Sequence, residues 1–127
     1  PELSRRMVFN LVIGNNDDHV KNHGVLHLEG QGWQLAPAFD LVAQLDAHTG
    51  YQELAILPGQ HVSSLALARL AAPHFGLQAA EAERVIDDIT ALVASALPEM
   101  VETQSGGAAL MARFTAFVRL QADRIRA

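Results

Sequence analysis

Eight consecutive residues, Asn15 to Asn22, hold two Asp, three Asn, one His and one Lys, with Val20 as the only apolar member. Apolar stretches, MVFNLVI and VLHL, flank this segment on either side. Three readings compete for such a density of polar groups. A solvated turn is the simplest, because Asn and Asp bond their own backbone and tolerate left-handed angles. A turn needs only two or three such residues, whereas seven of these eight are polar. A zinc site is the second reading, since His19, His23 and His27 recur every four residues and would line one face of a helix. Gly14, Gly24 and the Asn pair work against a helix there. Phosphoryl transfer is the third. It needs a carboxylate to orient and deprotonate an attacking hydroxyl, and oxygen ligands for Mg2+. Asp17 precedes Asn22 by five positions, Asp18 misses that interval by one, and a later carboxylate, Asp40, stands in LAPAFDL.

These residues need elements to position them. Glu2 to Ile13 has the spacing of an amphipathic helix, with Leu3, Met7, Asn10 and Leu11 on one face and Val8 and Val12 extending it. Gly14 is suited to end it in a left-handed conformation, which leaves the polar octet as a loop. HGVLHLEGQGWQLAP reads as a β-hairpin, with Val25 to Leu28 as one strand, Glu29 to Gly32 as the turn and Trp33 to Leu35 as the return. That return would bring Asp40 back toward Asp17 and Asn22. DAHTG reads as a loop, and YQELAIL as a possible third strand closed by Pro58 and Gly59.

The remainder is helical in pattern. Ser63 or Ser64 can cap a helix that runs toward Pro73. Ala79 to Leu97 places Ala82, Val85, Ile86, Ile89, Val93 and Ala96 on one face, with Pro98 just beyond its end. After a Gly106–Gly107 break, a last helix from about Ala108 to Arg126 turns Leu110, Phe114, Phe117 and Val118 inward. The expected fold class is therefore α+β, mainly α, with a small β-hairpin, as a single domain over residues 1–127.

Composition narrows the function. At 127 residues, 50% hydrophobic and 18% charged, the chain can bury a sizeable core. A net charge of −5 and the lack of a basic stripe argue against nucleic-acid binding. No cysteine is present, which excludes disulfides and Cys-based zinc sites. No apolar run approaches the ~20 residues of a spanning helix, so no membrane is expected and the expected location is cytoplasmic. PELSRRMVFNLVI reads as a helix already under way without an initiator Met, so the chain is expected to be part of something longer.

An Asp followed five positions on by a metal-binding Asn, with another metal-binding Asp later, is also the spacing of protein kinase catalytic loops. GNNDDHVKNHGVLHLEGQGWQLAPAFDLV closely resembles the C-terminal catalytic region of HipA-like serine/threonine kinases, the toxins of HipBA-type toxin–antitoxin modules. The matching positions are Asn15, Asp17, His19, Lys21 and Asn22, then Leu35, Pro37, Phe39 and Asp40. The resemblance implies a protein-kinase-like C-terminal lobe with Asp17 as catalytic base and with Asn22 and Asp40 as Mg2+ ligands. It implies a nucleotide-binding set of Asn15, His19, Lys21 and Phe39. His19 could instead shape the loop through backbone contacts, and Lys21 could be either a phosphate contact or a solvated charge. Asp18 stands where a small residue is usual and is expected to face solvent, and Asp46 and His48 are expected to take no catalytic part.

The implied activity is transfer of the ATP γ-phosphoryl group to a protein hydroxyl. The implied partners are a protein substrate such as an aminoacyl-tRNA synthetase and a small DNA-binding antitoxin. An N-terminal nucleotide lobe, with its phosphate-covering loop and Lys, is missing from this chain: EGQGWQ and QSGGAAL lack a P-loop's Gly-Lys-Ser/Thr. The isolated chain is therefore expected to be inactive. The competing class is a non-catalytic lobe that serves as a binding module for an antitoxin or a partner lobe.

Overall fold

A computed structural model describes residues 2–43, 50–103 and 107–126. Helix α1 spans Glu2–Ile13. Strands β1, Val25–Leu28, and β2, Gly32–Leu35, form one antiparallel hairpin, in which Val25 pairs with Leu35 and Leu28 with Gly32. Helices α2, Leu65–Ala71, α3, Ala79–Glu102, and α4, Gly107–Arg126, follow. The mainly helical α+β class holds. No helix among the described residues is long and apolar enough to cross a membrane.

Helix α1 is the centre of the helical body, packing on α3, α4 and α2. Its contribution to the core is Val8, Leu11 and Ile13, which meet Ile56, Leu65, Ala68, Ile86, Ile89 and Val93. The buried face is rotated slightly from the one expected: Leu3 is 41% exposed and Ser4 takes the buried place. From α4, Phe114 and Phe117 are buried; the side chain of Val118 lies outside the described residues. The hairpin stands apart from this core. Every residue of β1 is exposed, and neither strand packs on a helix.

Local signals explain most boundaries. Gly14 has φ 67°, and its N–H donates to the Leu11 carbonyl while that of Asn15 donates to Asn10. This is the Schellman closure that glycine permits at a helix end. Ser64 Oγ accepts from the Leu67 amide and caps α2. A short 3-10 turn, Ala72–Phe75, contains Pro73 and ends at Gly76, φ 72°. At the start of α3 the Glu81 carboxylate accepts from the Gln78 amide at 2.8 Å, closing a capping box.

Two elements differ from expectation. Pro98 does not follow α3 but lies inside it, and the helix continues to Glu102. A proline removes one backbone hydrogen bond, yet Leu97 beside it packs on the core and α4 covers the same helix, so tertiary burial holds the helix through the defect. YQELAIL forms no strand; Tyr51–Val62 and Leu57–Gln60 are isolated bridges. Between the two bridges the Glu53 and Leu54 amides turn to the Asn16 and Asp18 carbonyls of the polar loop, which interrupts any continuous ladder. The DAHTG segment and Gly106 fall outside the described residues except for Gly50, as do Asp46 and His48.

Arg69 of α2 grips Glu83 of α3 through two bonds, Nε to Oε1 at 2.6 Å and Nη2 to Oε2 at 3.2 Å. The Arg69 hydrogen bond holds the Glu83 carboxyl below its ordinary value of 4.5. Both groups are solvated, so the stabilisation is small. Its sign is definite: a depressed carboxyl contributes fully above the unfolded value and loses that contribution as pH falls through the folded one. Glu83→Gln is therefore expected to lower the urea midpoint slightly at neutral pH and to match the parent at strongly acid pH. A difference that persists unchanged into acid would contradict the pairing.

Candidate functional site

The polar octet leaves α1 at Gly14 and is bound from three sides. The first anchor is α1 itself. Asn15 is 1% exposed, and its side-chain amide donates to Asn10 Oδ1 at 3.0 Å. Two buried Asn side chains thus satisfy each other directly beneath the loop, which is how polar groups are tolerated in a core. The second anchor is the segment after Gly50. Its Glu53 amide donates to the Asn16 carbonyl at 2.9 Å and its Leu54 amide to the Asp18 carbonyl at 3.0 Å. That segment is braced in turn by Gln52, 6% exposed, whose amide donates to Ser63 Oγ at 2.9 Å.

The third anchor lies within the loop. Asp18 is 6% exposed and pairs with His23, Nε2 to Oδ1 at 2.9 Å. The expectation that Asp18 faces solvent is overturned. It occupies the wall of a cavity of about 90 Å³ behind the loop, together with His23, Leu3, Met7, Leu54 and Phe75. A buried carboxylate is costly unless it is paired and hydrogen-bonded, and His23 supplies the partner.

Around these anchors the sequence-derived candidates take up different environments. Asp17 is exposed, beside buried Asp18. Val20 to Asn22 form a 3-10 turn. Asn22 is 8% exposed, and its amide donates to the Asp17 carbonyl at 3.4 Å, so the five-residue interval closes on itself. Lys21 is exposed. His19 is half-buried, and its Nδ1 is buried without a hydrogen-bond partner.

The hairpin carries the chain back to this loop. The Ala36 amide donates to the Gly24 carbonyl at 2.8 Å. A Cβ at Gly24 would stand 3.3 Å from the Ala36 Cβ and 3.8 Å from the Phe39 ring, so glycine lets the two ends of the hairpin approach. Phe39, 47% exposed, thus lies against the residue two beyond Asn22. Arg6 of α1 secures the return by donating from Nη2 to the Ala36 carbonyl. Asp40 comes next, exposed and at φ 56°.

The three histidines do not share a site. His23 is taken by Asp18, and His27 packs edge-on to Trp33 with ring centroids 5.0 Å apart. Among the described residues no group of three or more His, Cys, Asp or Glu could hold a metal ion. Sequence reasoning assigns Arg6 no part in the site, expects Asp18 to face solvent, weighs His23 only as a zinc ligand and reads Gln52–Leu54 as strand. Asp18 and His23 did carry a signal, since their interval of five repeats that of Asp17 and Asn22 one position on.

Comparison with known proteins adds two findings. A family model described as HipA-like C-terminal domain matches residues 1–97. A curated protein of Sinorhizobium fredii (strain NBRC 101917 / NGR234), named "Putative kinase Y4dM", is 29% identical over 87 residues, 68% of this chain and 21% of its own length. The chain thus spans about a fifth of the length of that relative. No solved structure matches.

Proposed function

The chain belongs to the HipA-like C-terminal domain family, and from that premise we propose that it is the catalytic lobe of a serine/threonine protein kinase that uses Mg-ATP. The observation that carries the reading is the backbone of Asp40. Among the described residues it is the one non-glycine at positive φ, 56°, and its exposed side chain makes no hydrogen bond or ion pair that would repay the conformation. Left-handed backbone costs an ordinary L-residue about 1–2 kcal/mol, somewhat less for Asp. Strain of this kind concentrates where a side chain must be aimed. Asp40 stands one residue beyond Phe39, whose ring lies against Gly24, two residues after Asn22.

The donors suit Mg2+. Asn22 turns its amide nitrogen to the Asp17 carbonyl, which leaves the amide oxygen for a cation, and Asp40 adds a carboxylate. Magnesium is held by one or two carboxylates plus substrate phosphates rather than by an all-protein cage, so a sparse donor set is what the chemistry requires. When bound, the ion would neutralise charge on the phosphates. Asp17 is the base: exposed, it accepts the proton of the attacking hydroxyl as the oxygen–phosphorus bond forms and the bond to the ADP leaving group breaks. Lys21 and Phe39 are proposed to meet the nucleotide, Lys21 at the phosphates. Asn15 and His19 act from beneath. Burial of Asn15 and its bond to Asn10 commit it to holding the loop.

The nucleotide lobe would come from the rest of a longer protein or from a separate chain. The exposed apolar residues of the hairpin and its exit, Val25, Leu26, Trp33, Phe39 and Val42, are the surface proposed to meet it. A role as the toxin of a toxin–antitoxin module in the cytoplasm, with a small DNA-binding antitoxin and an aminoacyl-tRNA synthetase or other protein as substrate, belongs to the same proposal. The same apolar hairpin supports a second reading, a lobe that only binds a partner.

The test is metal dependence in the full-length protein. Asp40→Asn is expected to raise the Mg2+ concentration needed for half-maximal transfer by about tenfold or more, at least the cost of losing an outer-shell partner. An unchanged Mg2+ titration would remove Asp40 from the site. Absence of any phosphate transfer by the full-length protein would favour the binding module.

A further inference from the structure

The reading of Asp17 as a base leaves unexplained how its distance from Asn22 is set. The direct link between them is weak: the Asn22 amide reaches the Asp17 carbonyl at 3.4 Å, beyond the 2.7–3.2 Å range of ordinary N–H···O bonds. The strong bond in the loop is the neighbouring one, Asp18 to His23 at 2.9 Å, with the carboxylate 6% exposed. A bond to an ionised group is roughly twice as strong as one between neutral groups, and burial raises the cost of breaking it.

Its location also matters. Asp18 and His23 enclose the 3-10 turn Val20–Asn22. Each adjoins one member of the proposed reacting set, Asp18 next to Asp17 and His23 next to Asn22. Asp17 is exposed while Asp18 is buried, so anchoring the second fixes the outward direction of the first. On one side the pair borders a cavity of about 90 Å³ with apolar walls that include Met7, Leu11, Ile56 and Phe75, so no side chain fills the space against it there. What holds Asp18 from behind is one backbone bond, from the Leu54 amide at 3.0 Å.

We propose that Asp18 and His23 are positioning residues: their bond closes the catalytic loop and sets the separation of Asp17 and Asn22. The proposal rests on the reading of Asp17 as base. With the carboxylate as acceptor, His23 Nε2 carries the hydrogen and donates it. The pair touches no substrate and takes no proton in the reaction; it acts through the backbone of its neighbours. A displacement of about 1 Å in such a constellation costs about 10²-fold in rate.

The experiment uses the full-length protein with Mg-ATP and a protein acceptor. Asp18→Ala and His23→Leu are expected to lower kcat by about 10–100-fold with the KM for ATP nearly unchanged. His23→Gln, whose side-chain amide nitrogen can take the place of Nε2, is expected to restore most of kcat. The double variant Asp18→Ala/His23→Leu should fall no further than the worse single one, because both remove one interaction. The proposal is overturned by wild-type kcat in the single variants, by equal loss in His23→Gln and His23→Leu, or by losses that multiply in the double variant. A lower melting temperature with kcat per folded molecule intact would also overturn it. Asp17→Asn is run alongside. If that variant keeps its activity, the assignment of the base fails, and the brace is judged by hydrogen exchange of the loop amides. Exchange at residues 21 to 23 is then expected to be about tenfold faster or more in His23→Leu than in His23→Gln, and equal rates would end the proposal.

Discussion

Asp17→Asn in the full-length protein is expected to lower phosphate transfer to a protein acceptor by about 10²–10⁴-fold, the contribution of a positioned general base. The substitution keeps the size of the side chain and removes its ability to take a proton. Its effect should appear in kcat, because the proton moves as the new bond forms and not when ATP binds. The fold should be untouched. Asp17 is exposed, and the bond it shares with Asn22 uses its backbone carbonyl, which the substitution leaves in place. The measurement is initial rate with labelled ATP, paired with a thermal melt. A variant within a few-fold of the parent rate would remove Asp17 from the chemistry. Asp18 cannot stand in for it, since that carboxylate is buried and paired with His23.

The second large effect is on stability. Leu11→Ala is expected to cost about 2–5 kcal/mol, the range for truncation of a buried leucine. Leu11 is 1% exposed and belongs to the cluster that joins α1 to α2 and α3. A domain of this size has only about 5–15 kcal/mol of total stability, so the loss is a large share of it. It should lower the urea midpoint at unchanged slope. Leu70→Ala is the control: with 65% exposure it should change stability by less than about 0.5 kcal/mol. Equal losses at the two positions would mean that the core has been wrongly drawn. Leu11 also stands just before the helix end whose closure leads into Asn15, so its loss should loosen the loop as well as the body.

The helical half was legible because its signals are local. The apolar period of α3, the Ser64 cap of α2 and the glycine after α1 each act within a few residues, and each appears where the pattern puts it. The hairpin was legible for the same reason. YQELAIL was not, because its amides bind the polar loop from more than thirty residues away, and no local pattern encodes such a commitment. Pro98 misled in the other direction. As a local signal it ends a helix, but packing of α3 against α4 and the core carries the helix past it.

The candidate site divides along the same line. Residue types and intervals make Asp17, Asn22 and Asp40 candidates for phosphate transfer and magnesium binding, and the family resemblance gives them the roles proposed above. They cannot tell which way a side chain faces. Asn15, Asp17, Asp18 and Asn22 look alike as polar loop residues, yet Asp17 is exposed while the other three are buried. Tertiary structure decides this, since the direction of each residue depends on partners that converge from distant segments: Asn10 on α1, the Glu53 and Leu54 amides, and His23 across the turn. The sequence names the candidate groups; the packing beneath them determines which carboxylate is presented and which is held inside.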